Sequence, residues 1–276
     1  MKKIFILLMA LSLLSTSCSN VLTAMANKET DEAYFETAQK SMDSQDWDTA
    51  LTALELMSET YKARTDVIEM WAGVLAGKCG FDFITYFNSL GSASLTGSTI
   101  FKYFMNAFTG KSVSASYCAL AQLKMEEIGS IPSARTSGQN LFMAILGMVK
   151  IGVYLRSLAD VDGTNGLGDD TTDASFDSCS TASISDANLN QVISGLGLIS
   201  ANVAYLTAVL SSTTVTSSLT TLTTVCGTSC GITDPDSVGA SDRTTLRDLL
   251  KTGSSNPTAP MGIESCNDVG VITCCP

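Results

Sequence analysis

The sequence predicts a mostly α-helical chain that is held together by disulfides. Apolar residues recur at spacings of three and four in most segments between residues 31 and 250, which is the period of one helix face. Two of these segments, 137–158 and 185–210, are apolar over most of their length and predict buried helices. Eight cysteines follow position 18, and an even number is typical of a disulfide framework.

The first predicted element is an antiparallel helical hairpin over residues 31–61. Residues 43–46 are polar and predict the turn between its two helices, and Asp46 has the side chain of a helix N-cap. The apolar stripe of the first helix consists of Tyr34, Phe35, Ala38 and Met42, and that of the second consists of Trp47, Ala50, Leu51, Leu54, Met57 and Tyr61.

This hairpin resembles a tetratricopeptide repeat, a helix-turn-helix unit of about 34 residues. The residues on the packing positions of that family are Tyr34, Ala38, Trp47, Ala50 and Leu54. Ser41 departs from the family where an aromatic residue is usual, and Lys62 departs where proline commonly ends the unit. A second, degenerate unit is predicted at 65–90, with its turn at Cys79 and Gly80. The resemblance implies a scaffold over residues 31–90 that binds partners in a concave groove.

Residues 91–252 predict a helical bundle. Its segments are 99–108, 112–128, 137–158, 185–210, 211–229 and 241–250, with Pro132 as a break and Ser241 as a cap. Lys150 and Arg156 interrupt the first long apolar segment, which favours a core helix over a membrane span. The glycines of the two long helices predict close helix packing, and they are Gly147, Gly152, Gly195 and Gly197.

The N-terminus has the pattern of a secretion signal. Lys2 and Lys3 precede an apolar run over residues 4–14, which is too short to span a membrane. The small residues 15–17 then lead to Cys18, and the segment resembles the lipobox of bacterial lipoproteins, with leucine at position 14, one residue earlier than usual. The resemblance implies that residues 1–17 are a lipoprotein signal peptide, that Cys18 is lipidated, and that residues 18–30 are a tether. The alternative is an ordinary cleaved signal peptide.

The resemblance also implies a place in the cell. Ser19 follows the cysteine where enterobacterial lipoproteins that stay in the inner membrane typically carry aspartate, so we expect a lipid-anchored protein of the bacterial envelope, at the outer membrane. Removing residues 1–17 takes away two lysines and no acid, which changes the formal net charge from −11 to −13. Such a charge disfavours nucleic acid and anionic lipid headgroups as partners, so acyl chains would provide the membrane link.

The cysteines predict a stapled C-terminus. The disulfide candidates are Cys79, Cys118, Cys179, Cys226, Cys230, Cys266, Cys274 and Cys275, and eight cysteines allow 105 pairings. Residues 253–276 predict an irregular, cysteine-rich tail. A zinc site at Cys226 and Cys230 is the alternative, although the chain has no histidine to complete it. The lack of histidine also removes Ser-His-Asp and Cys-His catalysis, and with no other catalytic motif visible we expect a protein that is not an enzyme.

The acidic loop 160–173 is the one constellation with the chemistry of a metal site. Calcium takes six to eight oxygen ligands, and EF-hand loops supply them at alternate positions after a helix. The segment resembles such a loop when Asp160 is position one, and the resemblance implies Asp160, Asp162 and Thr164 as ligands. In a non-standard loop, the late carboxylates would come from Asp169, Asp170 or Asp173. Thr171 stands where the loop usually has a bidentate glutamate. The alternative is a solvated polar loop without an ion.

Two functions remain open from the sequence. The first is an envelope adaptor or scaffold that mediates protein interaction near the outer membrane. The second is a periplasmic ligand-binding or transporter-accessory lipoprotein with an apolar pocket. A cavity among residues 137–210 would favour the second, whereas a filled core with a groove beside residues 31–90 would favour the first.

Overall fold

A computed structural model describes most of the chain. The described residues are 29–82, 86, 100–162, 166, 168–169, 171–209, 213–251, 262–264 and 275. Cys18 and the predicted signal peptide lie outside them, as do most residues of the second helix predicted for the degenerate repeat.

The described residues form ten α-helices and no strand, which confirms the all-α prediction. The helices are α1 (Asp31–Asp43), α2 (Trp47–Glu55), α3 (Glu59–Lys62), α4 (Thr65–Cys79), α5 (Ile100–Asn106), α6 (Ala115–Glu126), α7 (Ser137–Ala159), α8 (Asp186–Thr207), α9 (Thr213–Cys226) and α10 (Ala240–Lys251). Short 3₁₀ helices lie between them, at Pro132–Ala134 before α7 and at Gly227–Gly231 and Pro235–Ser237 between α9 and α10.

Helices α1 and α2 form the predicted hairpin. The hydroxyl of Thr30 accepts a hydrogen bond from the backbone N–H of Ala33 and so caps α1. The carboxylate of Asp46 accepts from the N–H of Thr49 at 3.2 Å, which confirms the predicted cap of α2. Only residues 44–46 separate the end of α1 from the capped start of α2, and this short turn lets the two helices lie side by side.

Helix α4 joins the hairpin to the rest of the molecule because both of its faces are buried. Val67 and Val74 pack with the apolar stripes of α1 and α2 in a small cluster. Ala72 and Leu75 belong to the larger core that α5 to α10 share. Leu51 and Trp71 are half-buried against both clusters, so the two cores are continuous across α4.

The centre of the molecule is the pair α7 and α8. Both helices are long and apolar enough to cross a membrane by length and composition, but 78 % and 61 % of their most apolar windows are buried inside the protein. Their bounds agree with the predicted segments to within three residues at each end. The physical reason for their composition is therefore that neighbouring helices surround them.

The end of the chain differs in one detail from the prediction. Helix α10 begins at Ala240, so Ser241 lies inside the helix and is not its cap. The carboxylate of Asp242 accepts a hydrogen bond from the N–H of Gly239 at 2.9 Å and takes that role instead. In a capping box, the side chain at the third helical position reaches back in this way to the N–H of the residue before the helix.

Three disulfides join the described cysteines, which confirms the predicted disulfide framework. The pairs are Cys79–Cys118, Cys179–Cys275 and Cys226–Cys230, with Cα atoms 5.1, 5.3 and 5.5 Å apart. The third pair decides between a disulfide and the zinc alternative at Cys226 and Cys230 in favour of the disulfide. Cys266 and Cys274 lie outside the described residues.

A clasp holds the end of the chain to α10 and to the loop before α8. The backbone N–H of Ser178 donates to Glu264 at 2.8 Å, and the guanidinium of Arg247 donates to the carbonyl of Ser178 at 2.7 Å. The disulfide from Cys179 to Cys275 closes the same contact covalently. The C-terminal tail is thus bound to the bundle at Glu264 and at Cys275, in agreement with the predicted disulfide-bonded C-terminus.

Candidate functional site

An open groove of about 690 Å³ lies where the α1–α2 hairpin meets α4 and α6. Its walls come from the turn before α2, the C-terminal end of α4 and the segment that leads into α6. The side chains that shape it are Trp47, Asp48, Lys78, Lys111 and Tyr117.

Trp47 is placed by a glycine on the neighbouring helix. It is the first residue of α2, and its half-buried ring lies against Gly77 of α4. A Cβ atom on Gly77 would lie only 2.5 Å from the indole, so any larger residue there would displace the ring. Gly77 therefore lets the tryptophan rest against the backbone of α4 while it lines the groove.

Lys78 connects the three walls of the groove. Its ammonium lies 4.7 Å from the ring centre of Tyr117 on α6 and forms an ion pair with Asp48 on α2. The hydrogen bond to Asp48 is the main cause that raises the pKa of Lys78, and the charge interaction with Tyr117 acts in the same direction. The side chain is only 13 % exposed, so it ties α4 to both neighbours and keeps its charge at the base of the groove.

Covalent and backbone contacts hold the rim. The disulfide between Cys79 and Cys118 joins α4 to α6 next to Lys78 and Tyr117, and the N–H of Ser114 donates to the carbonyl of Cys79 at 3.2 Å. Gln45 lies in the turn before Trp47 with a φ of 59°, a left-handed conformation that is costly for a side chain other than glycine. The groove thus has an aromatic wall and side chains of both charge signs along it.

The acidic loop brings together three of the predicted ligands. One carboxylate oxygen from each of Asp160, Asp162 and Asp173 lies within 4.8 Å of the others. Asp160 is fully buried at the end of α7, Asp173 is 9 % exposed, and Asp162 is exposed. The carboxylate of Asp173 accepts from the N–H of Val161 at 3.0 Å, which folds the end of the loop back onto its start.

The pKa of Asp162 records this crowding of negative charge. Its pKa is raised, first by the hydrogen bond with Asp173, then by desolvation, and then by the charges of Asp169, Asp173 and Asp160. Three carboxylate oxygens this close together are the kind of cluster that a hard divalent cation neutralises. The residues present therefore suit calcium in chemistry, with the remaining ligands to come from backbone oxygens or water.

One of the predicted ligands is placed differently, and two are not described. The carboxylate of Asp169 accepts from both the N–H and the hydroxyl of Thr171, and its own N–H donates to Asp160 at 2.9 Å. Thr171, which the EF-hand pattern puts at position twelve, thus supports Asp169, and Asp173 supplies the third carboxylate of the cluster. Thr164 and Asp170 lie outside the described residues.

Sequence reasoning missed most of the groove and one buried charge. Lys78 and Tyr117 are 39 residues apart in sequence, and no periodicity relates them. The Cys79–Cys118 pair was the one available signal, because its residues directly follow both. Lys150 was noticed only as a charge in an apolar helix, and a charge in that position is a signal for a buried polar cluster.

Comparison with known proteins finds no family model, no curated protein and no solved structure that matches the chain.

Proposed function

We propose that the protein is a non-enzymatic adaptor of the bacterial envelope, anchored by lipid at Cys18, which binds a segment of a partner protein in the groove beside Trp47. The observation that carries this proposal is the groove itself, which lies on the part of the chain that resembles a tetratricopeptide repeat. The tether over residues 18–30 would separate this surface from the membrane.

The way the core is filled supports the adaptor over the ligand-binding alternative. The alternative needs an apolar pocket among residues 137–210. In that region, Met143, Leu146 and Leu155 of α7 and Val192 and Leu196 of α8 are at most 1 % exposed and belong to one core cluster. The helices α7 and α8 therefore bury their apolar surface against each other and against their neighbours, and the groove described above opens at the hairpin.

The chemistry of the groove supports a peptide partner. Trp47 offers a half-buried aromatic surface, and aromatic residues carry a large share of the binding energy in protein interfaces. Lys111 and Asp82 line the groove along with Trp47 and add charges of opposite sign. Such charges orient a partner and speed its association more than they raise its affinity.

Calcium in the acidic loop is a second proposal, with a structural role. The cluster of Asp160, Asp162 and Asp173 supports it, because a cation would offset the negative charges that raise the pKa of Asp162 in addition to its hydrogen bond with Asp173 and its desolvation. Thr172 donates to the carbonyl of Ile263 at 3.0 Å next to this cluster, so an ion there would also stiffen the attachment of the C-terminal segment.

The adaptor proposal is tested with the full-length, lipidated protein in its native envelope. The tagged protein is cross-linked, solubilised in detergent and purified, and the proteins that come with it are identified by mass spectrometry. The groove variants are Trp47→Ala and Lys111→Ala. The control is Leu56→Ala, which removes an exposed apolar side chain from the same hairpin outside this groove.

We expect one envelope protein to be enriched with the wild type and with Leu56→Ala, and to be lost with both groove variants. Circular dichroism of each variant establishes that it is folded, which matters for Trp47 because its ring also packs on Gly77. Equal recovery of the partner with all variants would mean that the partner binds outside the groove beside Trp47. No enriched protein at all would contradict the adaptor function.

A further inference from the structure

A buried lysine joins three parts of the bundle through a closed polar cluster. Lys150 of α7 is fully buried, and its amine donates to the side-chain oxygen of Gln122 on α6 at 2.6 Å and to the hydroxyl of Ser194 on α8 at 2.9 Å. The hydroxyl of Ser194 and the side-chain N–H of Gln122 both reach the carbonyl of Thr233, in the segment after α9. Three helices therefore meet at this amine, and the segment after α9 joins the cluster through Gln122 and Ser194.

The cluster suits an uncharged amine. A neutral lysine has two N–H groups, and the described residues around Lys150 provide two acceptors for them, the oxygens of Gln122 and Ser194. An ammonium would carry a third N–H and a full charge, and neither acceptor is a carboxylate. Burying an ion without a charged partner is strongly unfavourable, so the geometry by itself favours the neutral form.

The charges on the elements packed around α7 leave Glu126 as the one that acts on this amine. The other ionisable groups are engaged elsewhere: Asp186 with Arg243, Lys124 with Glu127, Lys78 with Asp48, Asp66 with Arg64, and Glu69 with Gln139. Lys102 of α5 also has a partner. Burial lowers the pKa of Lys150 to about 7, and the charge of Glu126, which accepts from Gln122 at 2.9 Å, opposes this shift.

We propose that this cluster is a proton-sensitive latch: when the amine of Lys150 takes up a proton, α6 and the segment 231–239 are released from α7 and α8. Before protonation, segment 231–239 lies directly against the backbone of α8. A Cβ atom on Gly197 of α8 would overlap the carbonyl oxygen of Ile232. A protonated amine would add a third N–H and a full charge, while its two bonded partners are the neutral oxygens of Gln122 and Ser194, and this favours a movement of the segment or of α6. The latch is independent of the proposed adaptor function.

The direction of the pH effect follows from the two states. Between pH 7 and 10.5 the unfolded chain binds a proton at Lys150 and the folded chain does not, so stability rises with pH across this window. The ratio of folded to unfolded protein is expected to change by up to about tenfold per pH unit there. Below pH 7 the folded protein also takes up the proton at Lys150. Release of α6 and of segment 231–239 then costs less free energy than unfolding of the whole chain.

The experiment measures hydrogen exchange of the full-length chain at pH 6 and pH 8.5, with labelling times scaled to equal intrinsic exchange. Wild type is compared with Lys150→Met, which keeps an unbranched side chain, one atom shorter, that cannot be charged. Lys40→Met is the control, because it makes the same change of charge at a side chain that is 73 % exposed. Denaturant unfolding between pH 7 and 9.5 supplies the stability profile of each protein.

We expect amides of α6 and of residues 231–239 to lose protection at pH 6 in the wild type and in Lys40→Met, and to keep it in Lys150→Met. The stability of Lys150→Met should lack the rise with pH that the other two share. If Lys150→Met does not fold, Glu126→Gln provides the test, since removal of that negative charge should shift the release to lower pH. Equal protection at both pH values in the wild type, or loss of protection along the whole chain, would overturn the latch.

Discussion

Gly147 and Gly195 face each other where α7 crosses α8. A Cβ atom on Gly147 would lie 2.6 Å from the carbonyl oxygen of Gly195, and one on Gly195 would lie 2.9 Å from the carbonyl oxygen of Gly147. Each distance is shorter than real Cβ contacts allow, so the two backbones approach as closely as only glycine permits. This contact is the reason that two helices with low helix propensity at these positions form the centre of the core.

The first prediction is that Gly147→Ala destabilises the protein by about 1–3 kcal/mol, because the added methyl group meets a backbone oxygen that cannot rotate away. Chemical denaturation monitored by circular dichroism measures the change. Gly138→Ala is the matched control on the same helix. No atom lies within 4 Å of a Cβ there, so the gain in helix propensity of up to about 1 kcal/mol should make that variant equal to wild type or more stable.

The second prediction compares two disulfides that close loops of very different length. Cys179 and Cys275 are 96 residues apart, whereas Cys226 and Cys230 are 4 apart. In the chain-entropy account, loss of the long cross-link costs about 4–5 kcal/mol and loss of the short one about 2 kcal/mol. The paired alanine variants of each disulfide should therefore differ in unfolding free energy in this order. The opposite order would mean that packing around Cys226 outweighs chain entropy.

The third prediction concerns the turn at the rim of the groove. Gln45 has a φ of 59°, so Gln45→Gly should raise the unfolding free energy by roughly 0.5–1 kcal/mol through relief of backbone strain, net of the entropy that glycine adds to the unfolded chain. Ser44→Gly in the same turn is the control. Its φ of −91° suits any residue, so glycine there should destabilise. Thermal unfolding of the two variants separates strain from general flexibility.

The fourth prediction joins calcium and pH at Asp162. Because its folded pKa is raised above the ordinary 3.8, its contribution to stability in calcium-free buffer is present at low pH and is lost as the pH rises through the folded pKa. Millimolar calcium at pH 7 should raise the melting temperature of the wild type, and excess chelator should reverse the rise. Asp162→Asn should be more stable than wild type without calcium and should no longer respond to it.

Asp236→Asn is the control for that measurement, since it removes the same charge from an exposed position in another loop. It should respond to calcium as the wild type does. If calcium does not change the melting temperature of the wild type, the result favours the alternative interpretation of residues 160–173 as a solvated polar loop without an ion.

Local patterns were enough to predict most of the helices. The hairpin of α1 and α2, the cap at Asp46 and the extents of α7 and α8 all follow from side-chain spacing and capping chemistry within a few residues of each other. The acidic loop was also predictable, because its three carboxylates lie within 14 residues of one another. Interactions between residues that are close in sequence follow from the local side-chain pattern, so one sequence is enough to predict them.

The pairings of distant residues required the tertiary structure. The sequence by itself determined an all-α chain with a leader pattern, paired cysteines and no histidine. Which cysteines pair, where the groove opens beside Trp47, and why Lys150 can lie in the core were decided only by the packing. Most of these depend on side chains that are 28 or more residues apart in sequence, such as Lys150 and Gln122 or Lys78 and Tyr117. Helix periodicity says which face is buried, but many arrangements of ten helices bury the same faces, and only the close contacts at residues such as Gly77, Gly147 and Gly197 select one of them.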